Sequence, residues 1–376
     1  MVTVLSPRPD LWTLDPDVVH LNHGSWGAVP RRTQEVLSAL RAEAEANPMV
    51  WFRSVPARLT AARLELAAFL EADPEGFALV PNASAGITAA FATVPIPSGS
   101  RIVTTNHVYG ASRFAAERVA RARGAELLVV ELPMQADDDT VVALIEPALV
   151  GASVLLLDHI SAATGTILPI ARLVELAHDR DVPVIVDGAH APALIDAPTG
   201  DGADFWTGNF HKWPAAPRAT AGLVVAERWR QASYPLITSW SEYDERLPER
   251  FDMQGTQDYA TWIAAPESLR VLADLEWSVR RPQVTAMLEE GARLVAKALG
   301  TSVGEVANPA PTLRLVELPM VVADAEPFKE HVSNELQIEI TLTGFEGRSY
   351  IRLSAHAYNQ PSDYEKLSEG LPRVLA

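Results

Sequence analysis

Two stretches decide the fold: Pro183-Val-Ile-Val-Asp187-Gly-Ala-His190 and Asp204-Phe-Trp-Thr207-Gly-Asn-Phe-His-Lys212-Trp213. Each opens on a short, almost continuously apolar run and closes on polar groups. Such runs are strands buried on both faces, as in a parallel sheet. Working outward, the same pattern recurs at Phe77–Val80, Arg101–Thr105, Glu126–Glu131, Ser153–Asp158 and Gly222–Ala226. Helical patterns lie between most of them, at Ala85–Val94, Ala111–Arg123, Val141–Leu149 and Ile170–Arg180. This alternation predicts an α/β domain with a mainly parallel seven-stranded sheet sandwiched by helices. Ligands of such sheets bind beyond the carboxyl ends of the strands, so the polar residues there are the place to look for chemistry.

The flanks read differently. Helical patterns at Arg31–Glu45 and Val55–Leu70 come before the sheet, and Tyr234–Asp258 after it is irregular. A long helical stretch follows over Pro266–Leu299, expected to break near Pro282. The end reads strand Leu313–Leu318, helix Glu326–Glu335, strands Ile338–Thr343 and Tyr350–Ser354, helix Asp363–Val374: a small α+β domain. The expected division is residues 1–20 packing on the small domain, 21–260 as the large domain and 261–376 as the small one.

Asp187 and Lys212 close neighbouring strands, so an Asp, two His (His190, His211) and a Lys meet at one sheet edge. A desolvated lysine loses its proton readily, which a Schiff-base lysine needs. A carboxylate nearby keeps a pyridinium nitrogen charged. Taken singly, Asp187 could be a turn residue and His211-Lys212 an ordinary loop. Together they describe a pyridoxal phosphate site. The small residues of Pro81-Asn82-Ala83-Ser84-Ala85-Gly86, at a helix start, offer N–H groups and a hydroxyl to the phosphate. His107 or Tyr109, after the Arg101–Thr105 strand, could stack on the cofactor ring. Asp158-His-Ile-Ser161 either lines the pocket or satisfies its own loop, and for His159 the second reading is preferred. G-x-G-x-x-G, Walker A, G-x-S-x-G and H-E-x-x-H motifs do not occur.

Composition narrows the classes. The chain has 376 residues, 48% of them hydrophobic, a net charge of −17 and no cysteine. That charge disfavours nucleic acid as a partner. Absence of cysteine excludes a thiol nucleophile and a Cys-ligated metal. No run reaches the ~20 apolar residues of a membrane helix. The start lacks a signal-peptide pattern, so a soluble, cytoplasmic protein without membrane contact is expected.

The sequence resembles the fold-type I pyridoxal phosphate enzymes, class V aminotransferase family, within it the isopenicillin N epimerase-like branch, related to cysteine desulfurases and C–S lyases. The residues that carry this are Leu21-Asn-His-Gly-Ser-Trp-Gly27, Asn82-Ala-Ser84, Tyr109-Gly-Ala111, Asp187-Gly-Ala-His190, Asn209-Phe-His-Lys-Trp213, Gly255-Thr256 and Ile351-Arg-Leu-Ser-Ala-His356. The resemblance implies an aspartate-aminotransferase-like large domain, with Lys212 as Schiff-base lysine and proton shuttle. It implies Asp187 at the pyridinium, His190 at the phenolate oxygen, and Ala83, Ser84, Asn209 and His211 at the phosphate. Tyr109 rather than His107 would stack on the ring. Thr256 would reach the phosphate of a second copy in a homodimer. Arg352 would bind the substrate carboxylate, with Asn22 and Gly24 near it.

The reaction stays open. Without cysteine, the persulfide route of cysteine desulfurases is closed. The expected activity is elimination across the Cβ–S bond of a sulfur-conjugated amino acid. Epimerisation at an amino-acid α-carbon stands close behind, then decarboxylating oxidative deamination and transamination. Trp51, Phe52, Trp240 and Tyr243 either shape the substrate pocket or form a dimer contact or core patch. A metal-dependent hydrolase using Asp187, His190 and His211 is the alternative from another class; it leaves Lys212 unexplained.

Overall fold

The computed structural model describes residues 6–375. Strand β1 (Val19–His20) leads into helices α1 (Arg31–Ala46) and α2 (Pro48–Phe69). Then strands and helices alternate: β2 (Phe77–Val80), α3 (Ala83–Thr93), β3 (Arg101–Thr105), α4 (Gly110–Arg123), β4 (Glu126–Val130), α5 (Asp138–Ile145), β5 (Ala152–Asp158), α6 (Ile170–His178) and β6 (Val184–Asp187). Strands β7 (Phe205–Asn209) and β8 (Ala221–Val225) follow without a helix between them. The seven strands lie in the order β2-β8-β7-β6-β5-β3-β4. Only β8 runs against its neighbours β2 and β7; the other pairs are parallel. The expected sheet is thus present. All but the half-buried edge strand β4 are largely buried on both faces because apolar clusters cover them: α2, α5 and α6 contribute to one cluster, α3 and α4 to the other. Burying each Val, Leu or Ile of β5 and β6 stabilises by about 1.5–3 kcal/mol, so these central strands are rigid platforms for the polar residues at their carboxyl ends.

After β8 the chain makes the short helix α7 (Leu247–Asp252), which the sequence pattern had missed, then α8 (Ala260–Asp274) and α9 (Trp277–Leu299). The break in the long helical stretch falls at Leu275–Glu276 and not at Pro282. Glu276 has φ +51, the left-handed conformation that ends a helix, whereas Pro282 sits inside α9. The rest is β9 (Leu313–Glu317), α10 (Ala325–Leu336), β10 (Ile338–Glu339), β11 (Thr341–Phe345), β12 (Arg348–Ser354) and α11 (Pro361–Val374). The single strand expected over Ile338–Thr343 is two. β10 pairs in parallel with β1, whereas β11 joins the antiparallel sheet β11-β12-β9. Ile340, between them, is buried in the core under this sheet and anchors the switch. Among the described residues, no helix is long and apolar enough to cross a membrane.

Candidate active site

Six of the seven sheet strands point the same way, so the carboxyl ends of β2, β6 and β7 open on one cavity of about 500 Å³. Gly24–Trp26 and residues of β11 and β12 close it from the other side. At its floor Lys212 is 9% exposed, and its Nζ lies 2.9 Å from His190 Nε2. Burial, and then the charge of Arg352, pull the amine down to about 7, against the opposing charges of Asp187 and Asp158. Burial and the adjacent Lys212 hold His190 well below the usual histidine range, so its ring is neutral and can accept from the lysine.

Asp187 ends β6, where Ser112 Oγ donates to its Oδ2 at 2.6 Å and the Ala189 N–H to its Oδ1 at 3.0 Å. Asp158, its register partner on β5, is equally buried but receives only the Tyr109 N–H, on Oδ1 at 3.1 Å, and its Oδ2 has no partner. Burial, then the charge of Asp187, push Asp158 well above the carboxylate range, whereas Ser112, Ala189 and Lys212 oppose the rise of Asp187. Two adjacent buried carboxyls do not both ionise. Asp187, with two hydrogen-bond donors against one, is therefore the one that keeps the charge, and Asp158 the proton.

The start of α3 completes the cavity. Asn82 caps it by accepting from the Ala85 N–H, and Asn209 Oδ1 accepts from the Ala83 N–H. Gly86 allows β7 to pack here, since a Cβ on it would stand 2.3 Å from Thr207 Oγ1. Ser84 and His211 also line the cavity, and His211 Nδ1 is buried without a partner. On β12, Arg352 is 6% exposed; it donates to Ser25 Oγ at 2.8 Å and to the Ala162 carbonyl, and its Nε is buried and unpaired.

The structure thus brings together Gly24, Ala83, Ser84, Tyr109, Asp187, His190, Asn209, His211, Lys212 and Arg352. It does not bring in three others. His107 is 1% exposed with its ring nitrogens on Thr164 Oγ1 and the Leu132 carbonyl, so of the two ring-stacking candidates only Tyr109 faces the cavity. Asn22 sits behind the wall against the Ile340 carbonyl, and Thr256 is exposed in the turn after α7. None of Trp51, Phe52, Trp240 and Tyr243 lines the cavity. Ser25, Trp26 and Thr341–Thr343 are lining residues that sequence reasoning missed. Ser25 and Trp26 lay within a quoted motif, but nothing local marks a strand such as β11 as a cavity wall. The metal-hydrolase alternative finds no support: no group of three or more potential ligands occurs among the described residues.

The profile of the family "Aminotransferase class-V" matches residues 28–367. The chain belongs to this family. Isopenicillin N epimerase of Streptomyces clavuligerus is 30% identical over 381 residues, covering 95% of each chain. A putative L-cysteine desulfhydrase of Oryza sativa subsp. japonica is 24% identical over 96% of this chain and 83% of its own. Among solved structures, a mutant of C-DES with glycine covalently linked to its PLP cofactor superposes with a TM-score of 0.83 at 17% identity, over 98% of this chain and 99% of its own, which bears on fold. Like the rest of the class-V family it belongs to, the protein is a pyridoxal phosphate-dependent enzyme. The cavity fits that group: it offers a near-neutral buried amine, a buried anion and a helix start with an unpaired imidazole nitrogen beside it.

Proposed function

We propose that this enzyme breaks the Cβ–S bond of a sulfur-conjugated amino acid by β-elimination. The observation that carries the reading is Lys212, a buried amine near neutrality and the only lysine in the cavity. Elimination needs one base at the α-carbon and a leaving group at Cβ, whereas inversion needs a proton delivered from the other face. With no cysteine in the chain, sulfur leaves with the product and is not passed to the protein.

When bound, pyridoxal phosphate supplies an electron sink for the charge that develops at the α-carbon. Lys212 would hold the cofactor, and its Nζ, brought near neutrality by burial, would take the α-proton of the substrate. Asp187 would keep the pyridine nitrogen protonated, and His190 would hold the phenolate oxygen. Ala83, Ser84, Asn209 and His211 would hold the phosphate, and Tyr109 would flank the ring. Arg352 binds the substrate carboxylate as a fork through donors that include the unpaired Nε. The active unit is a homodimer in which Thr256 of one copy reaches the phosphate of the other. Support comes from the surface between β8 and α7, where Trp240 is 93% and Tyr243 94% exposed, too apolar to face water for no purpose. The protein works in the cytoplasm.

Epimerisation is the second reading, favoured by the 30% identity to isopenicillin N epimerase. Tyr109 is then the second proton donor. Incubation with candidate amino acids in deuterated water separates the two. Elimination gives a 2-oxo acid, ammonia and a free thiol and survives Tyr109→Phe. Exchange at the α-carbon with inversion, lost in Tyr109→Phe, assigns epimerisation instead.

A further inference from the structure

The carbonyl oxygens of Lys212 and Trp213 are each gripped by a buried histidine from outside the large sheet. His23 Nε2 lies 3.0 Å from the Lys212 carbonyl, and His356 Nε2 lies 3.1 Å from the Trp213 carbonyl. A carbonyl only accepts, so both Nε2 atoms carry the proton. His23 Nδ1 must then accept from the Tyr358 hydroxyl, 3.0 Å away. The donor direction is thus fixed from Tyr358 through His23 to the lysine peptide. Both imidazoles are 0% exposed, and they stack on each other with centroids 4.2 Å apart. Burial, its effect the largest, keeps both rings below the usual histidine range and neutral.

The contact is close on the backbone side too. A Cβ on Gly27 would stand 2.4 Å from the His211 carbonyl and 2.7 Å from that of Lys212. The Lys212 carbonyl also accepts from the Ala215 N–H at 2.8 Å, closing a turn in which Ala215 has φ +56. His356 and Tyr358 follow directly on β12, the strand that carries Arg352, and Ser25 on the His23 segment accepts from Arg352. One network therefore touches both the lysine and the arginine of the cavity.

We infer that His23, oriented by Tyr358 and backed by His356, is a positioning residue that fixes where the Lys212 amine stands relative to Arg352. The inference rests on the reading of Lys212 as the residue that carries the cofactor. His23→Leu removes the donor. Apoprotein of this variant captures added pyridoxal phosphate roughly 10-fold more slowly, and the reconstituted enzyme loses roughly 10- to 100-fold in kcat with KM moved less than about 3-fold. His23→Gln, whose amide N–H can stand in for Nε2–H, restores most of both. Tyr358→Phe gives a roughly 2- to 10-fold loss, the worth of one hydrogen bond. If His23→Leu does not fold, His23→Gln and Tyr358→Phe decide, with capture rate and kcat moving together. Wild-type capture and kcat in folded His23→Leu, or in Tyr358→Phe, overturn the inference. A loss that His23→Gln does not recover overturns it as well. Peptide mapping after borohydride reduction keeps the two readings apart: label on a lysine other than Lys212 sinks the cofactor assignment, whereas label on Lys212 with unaltered variants sinks only the role of His23.

Discussion

The two sides of the cavity are built by different means. The sheet side, with Asp187, His190 and Lys212, is at least 91% buried, on strands held by neighbours on both edges. The opposite side has Trp26 62% and Tyr109 47% exposed around a buried Arg352, and is assembled from an N-terminal stretch, strand-end loops, β11 and β12. On the proposed reading the buried side holds the cofactor and leaves little freedom, whereas the more open side would meet the substrate. The difference explains why the cofactor follows from these residues and the reaction needs an assay.

Experiments can break this comparison from either side. On the sheet side, Lys212→Ala should lower activity roughly 10²- to 10⁴-fold while the protein stays folded. Activity above about a tenth of wild type would place the base elsewhere. Asp187→Ala should cost roughly 10²- to 10⁴-fold, the loss of about 3–5 kcal/mol on removing one partner of a buried charge pair. Asp158→Asn should cost far less, because Asp158 already holds a proton; equal losses at the two positions would reverse the assignment.

On the open side, Arg352→Ala should raise KM for the amino acid by roughly 10- to 100-fold, as one or two charge-assisted hydrogen bonds are lost. A change in kcat alone would contradict the carboxylate role. For the apoprotein, the lysine sets a pH slope. Lys212 is lowered to about 7 by burial, so from pH 7 to about 10 the unfolded chain binds more protons than the folded one. Stability should therefore rise with pH across that window, and Lys212→Met should remove the slope, as read by urea midpoints. The smallest effect is expected at the surface: Trp240→Ala should move the unfolding midpoint little, since surface substitutions stay within about 0.5 kcal/mol, yet weaken self-association on dilution.

Legibility in the sequence followed the same division. All seven sheet strands were readable because they are nearly all apolar, most of them buried on both faces and only the edge strand β4 half-buried, and the candidate site residues stood directly at their ends. The break at Glu276 was not, since a left-handed glutamate leaves no mark in composition, whereas Pro282 offers a misleading one. The split of Ile338–Thr343 into β10 and β11 depends on which partner strands lie nearby, β1 and β12, each far along the chain. His107 reads as a site residue from its place after β3. Only tertiary contacts with Thr164 and Leu132 turn its ring away. Asp158, at the end of its strand, reads equally as a pocket-lining or a loop residue until the register pairs it with Asp187.

The chain has only four lysines, Lys212, Lys297, Lys329 and Lys366, and Lys212 alone lies in the cavity. Borohydride reduction of the purified protein followed by peptide mass mapping therefore tests the central claim with four possible answers. The account predicts a bleached visible band and a pyridoxyl group on Lys212. A label on Lys297, Lys329 or Lys366, or a colourless protein that takes up no pyridoxal phosphate, would contradict it.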